Sequence, residues 1–250
     1  MELPVFANNL RSSASWKELL DQAHEQWQAA LASPGNREQL EPRVRMLQLL
    51  HTLTRAGKSV DERAAALPVL QPPDPLNQSE PARFLRAAQL VSDSAAAPET
   101  KLTPALLADI YRALTGAAPD AEIFRTTETL PLNPAHNPVP AALLPKMTDN
   151  ALDWFTTDSF QELHPGERAT LVYLRLLDLQ PFPSHHETIA LLAAGFFTGQ
   201  VTLPPLIIFA DDLSTARYPA VIESAFRMLT QPLVELMAEN LTRTIQTVLQ

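Results

Sequence analysis

The chain has 250 residues, 46% of them hydrophobic, and a formal net charge of −9. A domain of that length buries roughly 70–75% of the surface its unfolded form exposes, so a sizeable core forms without covalent staples. The absence of cysteine excludes a disulfide framework, thiolate catalysis and cysteine-ligated zinc or iron–sulfur sites, and 19 scattered basic residues in an acidic chain argue against a nucleic-acid partner, which needs clustered Lys and Arg.

Six glycines against 23 prolines, with many Ala and Leu, predict an all-α fold whose helices are joined by proline-marked loops. The start, Met1-Glu2-Leu3-Pro4, lacks a basic region followed by an apolar run, and no stretch approaches the ~20 apolar residues of a spanning helix. A cytoplasmic protein without a membrane partner is therefore expected.

Ser15-Trp16-Lys17-Glu18 has the form of a capping box and predicts a helix to about Ala32, stopped by Ser33-Pro34-Gly35-Asn36. Leu40, Val44, Leu47, Leu50 and Leu53 recur at helical spacing and predict a second helix ending at Gly57. Residues 67 to 79 carry Pro68, Pro72, Pro73 and Pro75, which cannot propagate a helix, and mark the best internal boundary. Ser79 and Thr103-Pro104 read as helix starts, and Gly116 as a helix end. Between Glu122 and Leu132 the β-branched run predicts a short extended hairpin. Helices are predicted to resume at 141–155, 165–179, 187–198, 214–229 and 232–248.

From His164 to Phe182 the chain reads His-Pro-Gly-Glu-Arg-Ala-Thr-Leu-Val-Tyr-Leu-Arg-Leu-Leu-Asp-Leu-Gln-Pro-Phe, which resembles the motif helix and loop entry of the Fic (Fic/DOC, Fido-fold) family. Glu122-Ile123-Phe124-Arg125-Thr126 looks like that family's substrate-positioning flap, followed by a helix with Met147 and Trp154. Leu203-Pro204-Pro205-Leu206-Ile207-Ile208 and Arg217-Tyr218 look like the segment after the motif helix. The similarity covers roughly residues 80 to 240. It implies a Fic-type helical domain at 79–250 with a small β-hairpin flap, preceded by an N-terminal helical extension at 1–78.

In that family the motif His-Pro-Phe-x-Asp/Glu-Gly-Asn-Gly/Lys-Arg transfers a nucleoside monophosphate, usually AMP from ATP, to a hydroxyl side chain of a target protein. Here the stretch is Gln180-Pro181-Phe182-Pro183-Ser184-His185-His186-Glu187-Thr188, and only Pro181 and Phe182 match. The resemblance assigns the histidine as general base, a role worth a factor of about 10²–10⁴ that the Gln180 amide cannot fill. Ser184 is neutral where an acidic residue holds Mg²⁺. His185, His186 and Glu187 put bulk and a carboxylate where glycines let backbone N–H groups reach phosphate. Thr188 replaces the arginine that neutralises phosphate charge.

No catalytic residue is assigned. The reading is a non-catalytic, protein-binding or regulatory module that has lost AMP transfer, with a protein partner met through Phe124, Arg125, Thr126 and Thr127 of the flap. No cofactor is expected; ATP and Mg²⁺ are required only if the family activity survives. The alternative is a divergent nucleotidyl- or phosphotransferase with His185 or His186 as base and Arg125 or Arg217 toward phosphate.

Ser184-His185-His186-Glu187 also has the form of a capping box, which predicts a closed helix start with Ser184 as N-cap. Adjacent histidines point about 100° apart and do not converge on one ion, so a zinc site there needs His164 or His136 from elsewhere. Arg125 either meets a partner or phosphate, or anchors the flap to a helix through a carboxylate. Tyr173, Leu176, Leu179, Phe196 and Phe197 are expected in the core, as are Trp154 and Phe155 in preference to an exposed patch. No Ser/Thr-x-x-x-Glu-Gly/Asn inhibitory helix of the family's kind and no Gly-x-Ser-x-Gly elbow is found.

Overall fold

The helix starts follow from local hydrogen bonding. A computed structural model describes residues 15–59, 78–97, 99–119 and 121–250, apart from the side chains of Ser15 and Ser214. Eleven α-helices occur among these residues: α1 Ser15–Ala32, α2 Asn36–Arg55, α3 Glu80–Ala96, α4 Pro104–Thr115, α5 Leu144–Trp154, α6 Asp158–Gln161, α7 Pro165–Leu179, α8 His186–Gln200, α9 Ala210–Ser214, α10 Arg217–Phe226 and α11 Gln231–Leu249. Ser79 Oγ accepts from the Ala82 N–H at 3.4 Å and Thr103 Oγ1 from Leu106 at 3.1 Å, each with a proline in the first turn. Gly116 ends α4 at φ 75, a left-handed conformation that costs glycine little. The predicted joint at 67 to 79 lies outside the described residues as far as 77, and the chain start lies outside them too.

Helix α8 is apolar on nearly every side, with Ile189 to Thr198 all buried, so it must lie at the centre. It packs antiparallel to α7 and is covered by α3 and α4. Gly199 permits the close approach to α3, since a Cβ there would stand 2.8 Å from the Ala95 Cβ. Helix α11 covers the other side of α7, with α1, α2 and α10 packed against it. Residues of α1 and α2, including Trp16, Leu20, Trp27, Leu40 and Val44, belong to the same apolar cluster as those of α7, α8 and α11. No described helix is long and apolar enough to cross a membrane.

Two expectations fail on backbone grounds. No strand forms among the described residues of 121–140, so the flap is an extended loop rather than a hairpin. The Arg125 N–H bonds to Pro181 O at 2.9 Å instead of to a facing strand, and Pro131, Pro134, Pro138 and Pro140 offer no N–H for a ladder. The helix expected at 214–229 is two helices broken at Ala216, φ 57. Pro219 cannot donate to the residue-215 carbonyl, so a continuous helix through this point lacks a bond and carries a ring clash.

Candidate functional site

The stretch 180–188 joins the two central helices. Gln180 ends α7 in the left-handed region at φ 45, with its N–H on Leu176 O at 3.0 Å. Such a conformation at a non-glycine residue costs roughly 1–2 kcal/mol and persists only when its surroundings enforce it. Arg125 enforces it. Its Nε donates to Gln180 O at 2.8 Å, Nη1 to Thr127 O at 3.0 Å, and Nη2 to Val139 O and more weakly to Leu179 O at 3.5 Å. The side chain is 4% exposed. A buried cation on the last carbonyls of α7 matches the negative end of the helix dipole. Of the two roles foreseen for Arg125, the anchoring one is present, through carbonyls; the Glu128 carboxylate is 3.8 Å away at the surface.

Phe182 is fully buried between two rings, stacked on Tyr111 at 4.9 Å and on Phe124 of the flap at 5.9 Å. The flap is thus held to the loop by one main-chain bond, one guanidinium and one aromatic stack. Thr126 and Thr127 remain exposed at its outer edge. Pro183, Ser184 and His185 are exposed, and His186, Glu187 and Thr188 are half-buried.

The capping box expected at Ser184 does not form. His185, at φ 57, is the residue before α8 and contributes no side-chain cap. The reason lies in Glu187, whose carboxylate turns to a buried polar cluster rather than back to Ser184. Its Oε1 accepts from Tyr218 Oη at 2.7 Å and from Tyr173 Oη at 3.0 Å, and pairs with Arg55 Nη2. The two tyrosine oxygens also lie within hydrogen-bond reach of each other, a contact left without a proton when both hydroxyls donate to Glu187, and the Arg55 guanidinium lies 5.4 Å from the Tyr218 ring centroid. Burial pushes the Tyr173 hydroxyl up to about 12 and Tyr218 well above its ordinary value, so both are neutral donors to the carboxylate. A capping box does exist at α7, where His164 Nδ1 accepts from Gly166 and Glu167 accepts from the His164 N–H.

Glu187 therefore places a negative charge in the first turn of α8, where the helix dipole favours it, while its carboxylate is bound by side chains of α2, α7 and α10. Two polar atoms of the stretch are buried without a partner, Gln180 Oε1 and His186 Nδ1. Burial, helped by the charges of Arg125 and His185, holds the His186 imidazole below the ordinary histidine value. The two arginines considered for phosphate are engaged: Arg125 as above, and Arg217 with Glu239 at 2.6 Å.

The stretch does not suit Mg²⁺, a hard cation that takes carboxylate oxygens. Ser184 is neutral, and Glu187, the one carboxylate of residues 180–188, is committed to Arg55. Among the described residues no three His, Asp or Glu side chains gather as metal ligands. His136 is tied to the Leu132 N–H and to Asp178 O, and His164 to α7 and Asp21, so neither joins His185 and His186. Tyr173, Leu176, Leu179, Phe196 and Phe197 are buried as expected, whereas only Phe155 of the Trp154 pair is; Trp154 is 39% exposed against Phe160. Arg55 was invisible to sequence reasoning, since nothing around it in α2 signals a partner in α8.

No protein-family model matches the chain, and no curated protein matches it by sequence. Its structure is similar to that of Fic-1 from C. elegans, with 18% identity over 97% of this chain and 73% of that one and a TM-score of 0.78. A Fic domain containing signaling protein from Bacteroides thetaiotaomicron shares 14% identity over 92% and 95% of the two chains, TM-score 0.76. A Fic family protein from Desulfovibrio desulfuricans shares 15% over 95% and 74%, TM-score 0.62. At these identities the likeness is one of fold.

Proposed function

We propose that this chain, which has the Fic fold, is a non-catalytic protein-binding or regulatory module whose loop at 180–188 no longer takes a nucleotide. One observation carries the reading: Glu187, a first-turn residue of α8 close to the amides a phosphate would need, is a carboxylate fixed by Arg55, Tyr173 and Tyr218. A triphosphate approaching those amides meets a like charge, and the cations that would compensate it are already paired. The Gln180 amide offers no proton acceptor near neutral pH comparable to an imidazole. The partner surface in this reading is the flap, where Thr126 and Thr127 are exposed while Phe124 and Arg125 brace the loop from beneath.

The test has two arms. Purified protein incubated with α-labelled ATP and Mg²⁺ or Mn²⁺ transfers no label to itself or to added proteins, and a partner recovered with the wild type is lost when Thr126 and Thr127 are changed to Glu. Label transfer that depends on residues 180–188 overturns the proposal.

A divergent transferase is the second reading, favoured by the buried, unpartnered Nδ1 of a neutral His186, which has the chemistry of a base. It requires a free cation for phosphate, and Arg125 and Arg217 do not supply one. A thermal shift with any nucleotide at millimolar concentration supports this second reading over the first.

A further inference from the structure

A groove of about 670 Å³ opens where one face each of α1, α2, α3 and α8 converge, and no residue of 180–188 lines it. That volume falls in the range of small-molecule sites, roughly 300–1,000 Å³. Where α3 and α8 meet, the lining residues are small: Ala88, Ser92 and Ala95 on α3, Gly195 and Gly199 on α8. The remaining wall is mixed: Trp27, Leu31, Leu203, Pro204 and Pro205 are apolar, and Gln161, Gln200 and Thr202 are polar.

Helix α2 contributes the chemistry. Arg37, Glu41, Val44, Arg45 and Gln48 follow one another at helical spacing on the face that lines the groove. The charged lining residues are Arg37, Glu41 and Arg45, two cations against one anion, so the rim carries one net positive charge in a chain of −9. Glu41 is shared between the two arginines at 3.3 Å and 3.9 Å, pairs too exposed and too long to satisfy either fully. Gln48, one turn beyond Arg45, is 7% exposed, and its amide makes no hydrogen bond to another described residue. The Gln48 amide atoms are not among the fully buried unpartnered ones, so they are open to the groove, where a ligand can bond them.

We propose that this groove binds a small amphipathic monocarboxylate, with its apolar tail laid along the small-residue seam of α3 and α8 and its carboxylate received by the Gln48 amide N–H and the Arg45 guanidinium. The apolar part of the wall accounts for the tail, the excess positive charge for an anionic head, and the Gln48 amide open to the groove for a head rich in acceptors. The site is separate from the loop at 180–188 and stands whether or not that loop binds nucleotide.

The experiment is calorimetric titration of the full chain with decanoate, alongside the uncharged decanol. The wild type is expected to bind decanoate saturably and decanol about tenfold more weakly. Ser92→Trp, at an exposed lining position, fills the groove and removes binding; Arg45→Glu reverses the rim charge and weakens decanoate about tenfold while leaving decanol unchanged. Circular dichroism checks that both variants keep their helices, and Arg45→Glu decides the matter if Ser92→Trp does not fold. No saturable binding by the wild type, equal affinity for decanol, or decanoate binding indifferent to Arg45→Glu overturns the proposal.

Discussion

The Arg55 guanidinium at the end of α2 and the Glu187 carboxylate in the first turn of α8 form an ion pair, Arg55 with its side chain 9% exposed and Glu187 36%. The pair fastens a helix from the first quarter of the chain to the start of the central one. Removing Arg55 leaves a partly buried carboxylate with only two tyrosine donors, so Arg55→Ala is expected to cost about 2 kcal/mol in urea denaturation. In a double-mutant cycle, Arg55→Ala with Glu187→Ala is expected to cost less than the sum of the single changes. Additive losses mean the two side chains do not interact in solution.

Arg125 is predicted to be as sensitive as a core residue, although it is charged. Its fork reaches carbonyls from the flap, the 139 loop and the end of α7. Arg125→Ala is expected to lose about 3 kcal/mol or more, and Arg125→Lys most of that, because an ammonium cannot span the same acceptors. A fully stable lysine variant contradicts the anchoring role.

Much of the fold was legible because it is encoded locally. Ser79-Glu80-Pro81 and Thr103-Pro104 announce their helices within a few residues, and the structure forms both caps. Two of the failures are long-range. Ser184-His185-His186-Glu187 has the spacing of a cap, but Tyr173, Tyr218 and Arg55, from three other helices, draw Glu187 away. The β-branched run at 122–130 has strand-like composition, yet its Arg125 N–H goes to Pro181 O and no facing strand exists. Pro219 was a local signal for the break near 216 that the helical spacing of 214–229 obscured.

Tyr173 and Tyr218 are expected to stay protonated as pH passes the ordinary tyrosine value of about 10. Burial raises both, Tyr173 to about 12. Phenolate absorbance of the wild type and of Tyr173→Phe should coincide until the protein unfolds or pH nears that value. Because the unfolded chain releases these protons first, the two tyrosines contribute stability below pH of about 10 that is lost as pH rises further. A difference between the two proteins already at the ordinary value places Tyr173 in solvent.

His186 predicts the opposite, acidic limb. Its imidazole is held below the ordinary value chiefly by burial, so the unfolded chain takes up a proton that the folded protein resists. The stability it contributes is complete above the unfolded value of about 6.5 and falls as pH drops from there toward the lowered folded value. His186→Asn is expected to flatten the stability profile over that window relative to the wild type, as read by urea midpoints. Parallel profiles mean the ring titrates freely.

The most direct test of the claim that the charge of Glu187 keeps nucleotide from the start of α8 is calorimetric titration of the wild-type chain with ATP and Mg²⁺. The Arg55–Glu187 arrangement predicts no saturable heat at millimolar nucleotide. Saturable binding that is abolished by changes within residues 184–188 contradicts it.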